Sequence, residues 1–151
     1  MTKLKIYLDN CCYNRPFDNQ KDRAIREETR AKMFLQALIR YNSIDLVYSS
    51  ISLHEVFDSP FEENRASVLE FIEHNARYYV SQENNAAAIS LTKEIMQKGI
   101  KLKDASHVAC AVLAKCDYLI TTDKRLLKYT DERISIVNPI DFVEKWKGTY
   151  E

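Results

Sequence analysis

Apolar and polar positions alternate along Lys3-Leu4-Lys5-Ile6-Tyr7-Leu8 and stop at Asp9-Asn10, the pattern of a strand that ends on a carboxylate. The same short signature returns at Ile44 to Ser49, Arg77 to Val80, Tyr118 to Thr121 and Ile134 to Val137. Between these runs the period lengthens to that of a helix. Asp22 is placed to cap a helix reaching about Tyr41, with Ile25, Met33, Phe34, Ala37, Leu38 and Tyr41 near one face. A short helix is expected over Leu53 to Asp58, stopped ahead of Pro60. An amphipathic one follows over Glu62 to Asn75, carried by Val68, Leu69, Phe71 and Ile72. Asn84 to Lys98 reads as a helix closed by Gly99 in a left-handed cap. Asp104 opens an apolar helix of small residues, Ala105 to Ala114; Lys124 to Tyr129 and Ile140 to Lys147 complete the set. The turn-rich run Arg15-Pro16-Phe17-Asp18-Asn19 is a connection.

Strands that alternate with helices throughout imply βαβ units: a mainly parallel sheet of about five strands with helices on both faces. At 151 residues the chain is expected to form a single domain spanning 1–151. In such sheets ligands bind outside the carboxyl ends of the strands. Asp9 and Asp123 both terminate strands there. Glu55 lies on the helix that springs from the second strand, and Asp104 begins its own helix, so all four acids are expected near one sheet edge.

Each acid also has a local explanation. Asp9 with Asn10 suits an Asx-turn, Asp104 and Asp123 suit helix N-caps, and Ser52-Leu53-His54-Glu55 matches a capping box. None of these explains why the four fall on one side. Gathered carboxylates raise one another's pKa and resist joint ionisation unless a cation neutralises them. Hard Mg²⁺ or Mn²⁺, with oxygen ligands and retained water, suits that set. One or two such ions orient a water and steady the charge of a phosphodiester undergoing displacement.

Composition narrows the alternatives. The only glycines are Gly99 and Gly148, so neither G-x-G-x-x-G nor G-x-x-x-x-G-K-[ST] exists, and phosphate chemistry must rest on metal or basic side chains. G-x-S-x-G is likewise absent. The 22 basic and 22 acidic residues cancel, which removes a global field for nucleic acid. From Lys93 to Lys128, however, eight Lys/Arg accompany four acids, which suits a local basic rim around an acidic pocket and, equally, a solvated surface with chance asymmetry. The cysteines, Cys11, Cys12, Cys110 and Cys116, form no C-x-x-C pair and read as buried thiols. No apolar run approaches the roughly 18 residues of a membrane span, and no signal-peptide zones are evident, so a cytoplasmic protein without membrane association is expected. Asn10, Ser50, Thr121 and Thr122 are candidates for orienting carboxylates or water. Arg15, Lys124 and Arg125 are candidates for phosphate contact, with ordinary surface charge as the alternative. His54 and His107 are conceivable bases, but His107 lies in an apolar helix and is expected to be a packed histidine.

On these residues the chain resembles the PIN-domain ribonucleases, most of all the compact VapC-type toxins. Ile6-Tyr7-Leu8-Asp9 resembles the family's first-strand aspartate, Ser50-Ile51-Ser52-Leu53-His54-Glu55-Val56 its helix-borne glutamate, Lys103-Asp104-Ala105-Ser106-His107-Val108-Ala109 its third motif and Leu119-Ile120-Thr121-Thr122-Asp123 its fourth. Val137-Asn138-Pro139-Ile140-Asp141-Phe142 is similar to its closing strand-turn-helix. The resemblance implies a three-layer α/β/α sandwich and Mg²⁺- or Mn²⁺-dependent cleavage of single-stranded RNA. It implies metal-ligand roles for Asp9, Asp104 and Asp123, with Glu55 binding directly or through water. It further implies a homodimer and a cognate antitoxin. Where many members carry Ser or Thr soon after the first aspartate, this chain has Asn10-Cys11-Cys12. Two rivals are a non-catalytic RNA- or protein-binding module of the same fold, and a structure-specific DNA nuclease, which lacks a helical arch or helix-hairpin-helix segment here.

Overall fold

The computed structural model describes residues 3–14 and 19–150; Arg15, Pro16, Phe17 and Asp18, and with them one phosphate-contact candidate and most of the expected turn, lie outside the described residues. Among the described residues five strands, β1 (Lys5–Leu8), β2 (Asp45–Ser49), β3 (Ala76–Val80), β4 (Tyr118–Ile120) and β5 (Ser135–Val137), form one sheet in the order β3-β2-β1-β4-β5. Every pairing is parallel, with Ile6 opposite Leu46 on one side and Tyr118 on the other. All carboxyl ends therefore share one edge. The helices are α1 (Asn10–Asn14), α2 (Arg23–Arg40), α3 (Ser50–Phe57), α4 (Glu62–Asn75), α5 (Ala86–Met96), α6 (Leu102–Leu113), α7 (Lys124–Leu127) and α8 (Pro139–Tyr150).

The central strand shows why three layers form. Ile6, Tyr7 and Leu8 are all buried, as a strand covered on both faces requires. Successive side chains point to opposite faces. Ile6 and Leu8 enter one core with Leu35 and Ile39 of α2, Phe71 and Ile72 of α4, and Phe142 and Val143 of α8. Tyr7 enters the other, with Ile95 of α5, Val108 and Ala109 of α6, and Leu126 of α7. The expected α/β/α sandwich with a parallel sheet is what the chain adopts.

Several element boundaries differ from those the pattern suggests. The chain turns directly into α1 after Asp9, whose carbonyl accepts from Cys12 N–H at 2.9 Å; a five-residue helix carries too little periodicity to announce itself. α3 begins at Ser50 rather than Leu53, because Ser49 ends β2 and caps the helix at once. Asp22 caps α2 as expected, accepting from Ile25 N–H at 3.1 Å. Gly99 adopts φ +93°, the left-handed region in which a side chain would be strained.

Leu119 is fully buried on the Tyr7 side of β4, between the sheet and α6. Leu119→Ala is expected to cost about 2–5 kcal/mol, read from the urea-denaturation midpoint at unchanged slope.

Candidate metal centre

β1 and β4 are neighbours, yet β1 leads toward β2 and β3 while β4 leads toward β5. The connections diverge at this point, which opens a crevice beyond the strand ends. Asp9 stands at its floor. Its N–H donates to the Ile120 carbonyl at 2.9 Å, extending the β1–β4 ladder by one residue. Its Oδ1 accepts from Asn10 N–H at 2.7 Å and its Oδ2 from the Thr121 hydroxyl at 2.8 Å, with the Cys11 thiol 3.4 Å from Oδ2. The Thr121 oxygen also accepts from Asp123 N–H at 3.0 Å, so one hydroxyl ties two of the acids together.

Glu55 reaches the crevice because α3 starts early. The capping box pairs Ser49 with Ser52, each hydroxyl accepting the other's N–H at 3.2 Å, so the expected Ser52–Glu55 box does not form and Glu55 has no capping task. Asp104 is not an N-cap either: Lys101 takes that position, and Asp104 falls in the first turn of α6. Asp123 does cap α7, its Oδ1 accepting from Arg125 and Leu126 N–H at 2.8 and 3.4 Å. Its Oδ2 has no hydrogen-bond partner among the described residues, so the cap leaves half the carboxylate open.

The principal correction concerns His107. Its ring is fully buried, but it is a polar member of the site rather than a core filler. Nε2 hydrogen-bonds Glu55 Oε1 and lies 3.7 Å from Asp9 Oδ1; donor atoms of Asp9, Glu55 and His107 all fall within 4.8 Å of one another. Asp104 and His107 are three residues apart and so share one face of α6. That spacing was the available signal.

Electrostatics follow from this crowding. Burial, then the charges of Asp9 and Asp123 and more weakly Glu55, push the Asp104 carboxyl above its ordinary range, against a smaller downward pull from His107. For His107, burial alone pushes the imidazole down, yet the hydrogen bond to Glu55 and the charges of Asp9, Glu55 and Asp104 outweigh it, and the net direction is upward.

The remaining candidates divide. Asn10 donates its N–H to Asp9, and its buried Oδ1 has no partner among the described residues. Thr122 donates its N–H to Cys11 Sγ at 3.3 Å. Ser50 turns away, its hydroxyl accepting from Gln82 N–H at 2.9 Å. Lys124 and Arg125 are exposed on α7 beside Asp123. His54 is exposed and faces Glu83 at 3.3 Å. A cleft of about 540 Å³ flanks Glu55, lined by Ile51, His54, Asp58, Gln82, Lys101, Leu102, Lys103 and Ser106 as well. A cleft of about 690 Å³ between Glu94, Lys98 and residues 130–133 lies at the amino side of β5, away from the acids.

No protein-family model matches the chain, and no curated protein does. Solved structures do. A chain of VapBC2 from Rickettsia felis, bound to a DNA fragment from their promoter, aligns at TM-score 0.55 and 18% identity, covering 89% of this chain and 98% of that one. A chain of FitAcB from Neisseria gonorrhoeae aligns at 0.53 and 16%, covering 89% and 97%. VapBC-5 from Mycobacterium tuberculosis, a member of the VapBC family of toxin-antitoxin systems, aligns at 0.49 and 15% over 89% and 98%. The parallel α/β/α sandwich is a PIN-like fold. Within that fold the likeness is to chains of the VapBC2 and FitAcB assemblies.

Because Asp104 is held above the usual carboxylate range, its ionised form costs stability at neutral pH, and that cost disappears as protonation proceeds at lower pH. In EDTA at pH 7.5, Asp104→Asn is therefore expected to melt above the parent by roughly 1–3 °C, and the difference should close on acidification toward the raised pKa. Differential scanning calorimetry across pH checks both parts.

Proposed function

We propose that residues 1–151 are one domain, a metal-dependent endoribonuclease that cleaves single-stranded RNA and serves as the toxin of a toxin–antitoxin pair. The observation that carries this reading is the convergence of Asp9, Glu55 and His107 at the switch point, with Asp104 within electrostatic reach of Asp9, Asp123 and Glu55. The donor set fits Mg²⁺ or Mn²⁺: hard oxygens predominate, the Asp104 carboxyl is uncompensated, and a buried Asn10 oxygen lacks a donor of the kind that ion-bound water supplies. Asp9, Asp104 and Asp123 would hold the ion, and Glu55 would bind directly or through water. When bound, it supplies a lowered water pKa and charge neutralisation at the phosphate.

The chain's own residues do the rest. Thr121 fixes the orientation of Asp9 and the backbone of Asp123, setting two ligands in one geometry. Lys101 and Lys103 beside the Glu55 cleft, and Lys124 and Arg125 on α7, place cations around an acidic centre, where an RNA backbone gains attraction without entering the carboxylates. The fold likeness to VapC-type chains supports a cognate antitoxin, and the family resemblance supports a homodimer. Among the described residues no helix is long and apolar enough to cross a membrane, which accords with a cytoplasmic setting.

Asp9→Asn combined with Asp104→Asn is expected to lower RNA cleavage in Mg²⁺ or Mn²⁺ by about 100-fold or more while circular dichroism stays native. Parent-like cleavage by the folded double variant overturns the assignment. Metal binding by the parent with no cleavage of any RNA would favour the non-catalytic binding module.

A further inference from the structure

Beneath the acids lies a buried polar column that neither the fold nor the ligand set requires. Tyr7, fully buried on β1, would pack as well as phenylalanine against α6, yet its hydroxyl meets three polar groups from three elements. It lies 2.6 Å from Ser49 Oγ at the end of β2, 3.1 Å from Ser52 Oγ in α3, and against Nδ1 of His107 in α6. His107 Nε2 then meets Glu55. With both serine hydroxyls donating to Tyr7, Tyr7 donating to Nδ1, and Nε2–H donating to Glu55, every donor is used in one direction. With the imidazole doubly protonated, Nε2–H donates to Glu55 all the same. Burial holds the Tyr7 phenol in its protonated form.

We propose that Tyr7 and His107 are positioning residues that lock Glu55 against Asp9 in the geometry that receives the metal. Half of the Glu55 carboxylate, Oε1, is occupied by the column, while Oε2 has no hydrogen-bond partner among the described residues and is the oxygen left for ion or water. A glutamate on three rotatable bonds loses conformational freedom whenever it orders for a ligand. The column removes that freedom beforehand, from groups that are themselves immobilised in the core. Outer partners of this kind typically govern about 10- to 100-fold in metal affinity. The inference rests on the metal-site reading above, but it concerns affinity rather than turnover.

The test is Mn²⁺ titration of the whole chain by calorimetry, with the Mn²⁺ signal followed by electron spin-echo spectroscopy. Tyr7→Phe keeps the ring and deletes only the hydroxyl; it should bind Mn²⁺ about 10-fold more weakly with native circular dichroism and unchanged RNA affinity in EDTA. His107→Leu should show the same loss, and His107→Gln, whose amide can still donate to Glu55, should recover part of it. A merely structural role would lower melting temperature while leaving the Mn²⁺ affinity of folded protein at the parent value, and that result overturns the proposal. So does a directly coordinated nitrogen signal that vanishes in His107→Gln, since His107 would then be a ligand. If Tyr7→Phe does not fold, the His107 pair decides. A parent that binds Mn²⁺ but cleaves nothing refutes the nuclease reading and leaves this inference standing; a parent that binds no Mn²⁺ refutes both.

Discussion

The site depends on how a protein keeps several carboxylates together at a half-buried sheet edge. Like charges repel, and removal from water makes each more costly to ionise. The chain answers with one buried imidazole. His107 stands between Glu55 and Asp9, and its hydrogen bond to Glu55 together with the surrounding negative charge outweighs burial, so that its net shift is upward. The compensation is incomplete, since burial and then the charges of Asp9 and Asp123 still push Asp104 upward, and the proposed divalent ion would relieve that imbalance. An acidic site fully neutralised by its own side chains would have little remaining attraction for a cation.

Placing the imidazole there constrains much of the architecture. α6 must lie close to the sheet, and Ala105, Ala109, Cys110 and Ala111, all fully buried, are small enough to allow it. Tyr7 must face α6 rather than α2, which fixes the parity of β1 and therefore sends Ile6 and Leu8 into the opposite core. α3 must leave β2 without a linker, so that Ser49 and Ser52 meet Tyr7 while Glu55, three residues beyond Ser52, reaches His107. The Ser49–Ser52 box serves all of this at once: it starts the helix, feeds the tyrosine and frees the glutamate.

The alternation of strands and helices, and with it the sheet edge that gathers the acids, was legible in the sequence because periodicity and strand ends are local signals. What escaped reading was decided by contacts between distant segments. Ser52-Leu53-His54-Glu55 satisfies the local rule for a capping box, yet the helix begins earlier because Ser49 is already immobilised at the end of a paired strand. Asp104 has the right chemistry for an N-cap, but the chain turns helical at Leu102, putting the carboxylate within the first turn, on the crevice side. His107 looks apolar by its neighbours in sequence; its partners, Tyr7 and Glu55, are 100 and 52 residues away. Polar networks assembled from three elements leave only a partial mark on any single window of sequence, here the three-residue spacing of Asp104 and His107.

Topology also accounts for how Asp9 is held. Asp9 is followed by Asn10-Cys11-Cys12 and takes no hydroxyl from its own segment, while the thiol of Cys11, at 3.4 Å, is a weak donor. The hydroxyl comes instead from Thr121, across the β1–β4 ladder, at 2.8 Å. This contact is available because Leu8 pairs with Ile120, so the next residues of the two strands, Asp9 and Thr121, emerge side by side. Cys11 is thereby free to accept the Thr122 N–H and seal the bend between β4 and α7. A hydroxyl from the neighbouring strand thus holds the carboxylate, and the register of the sheet is what permits it.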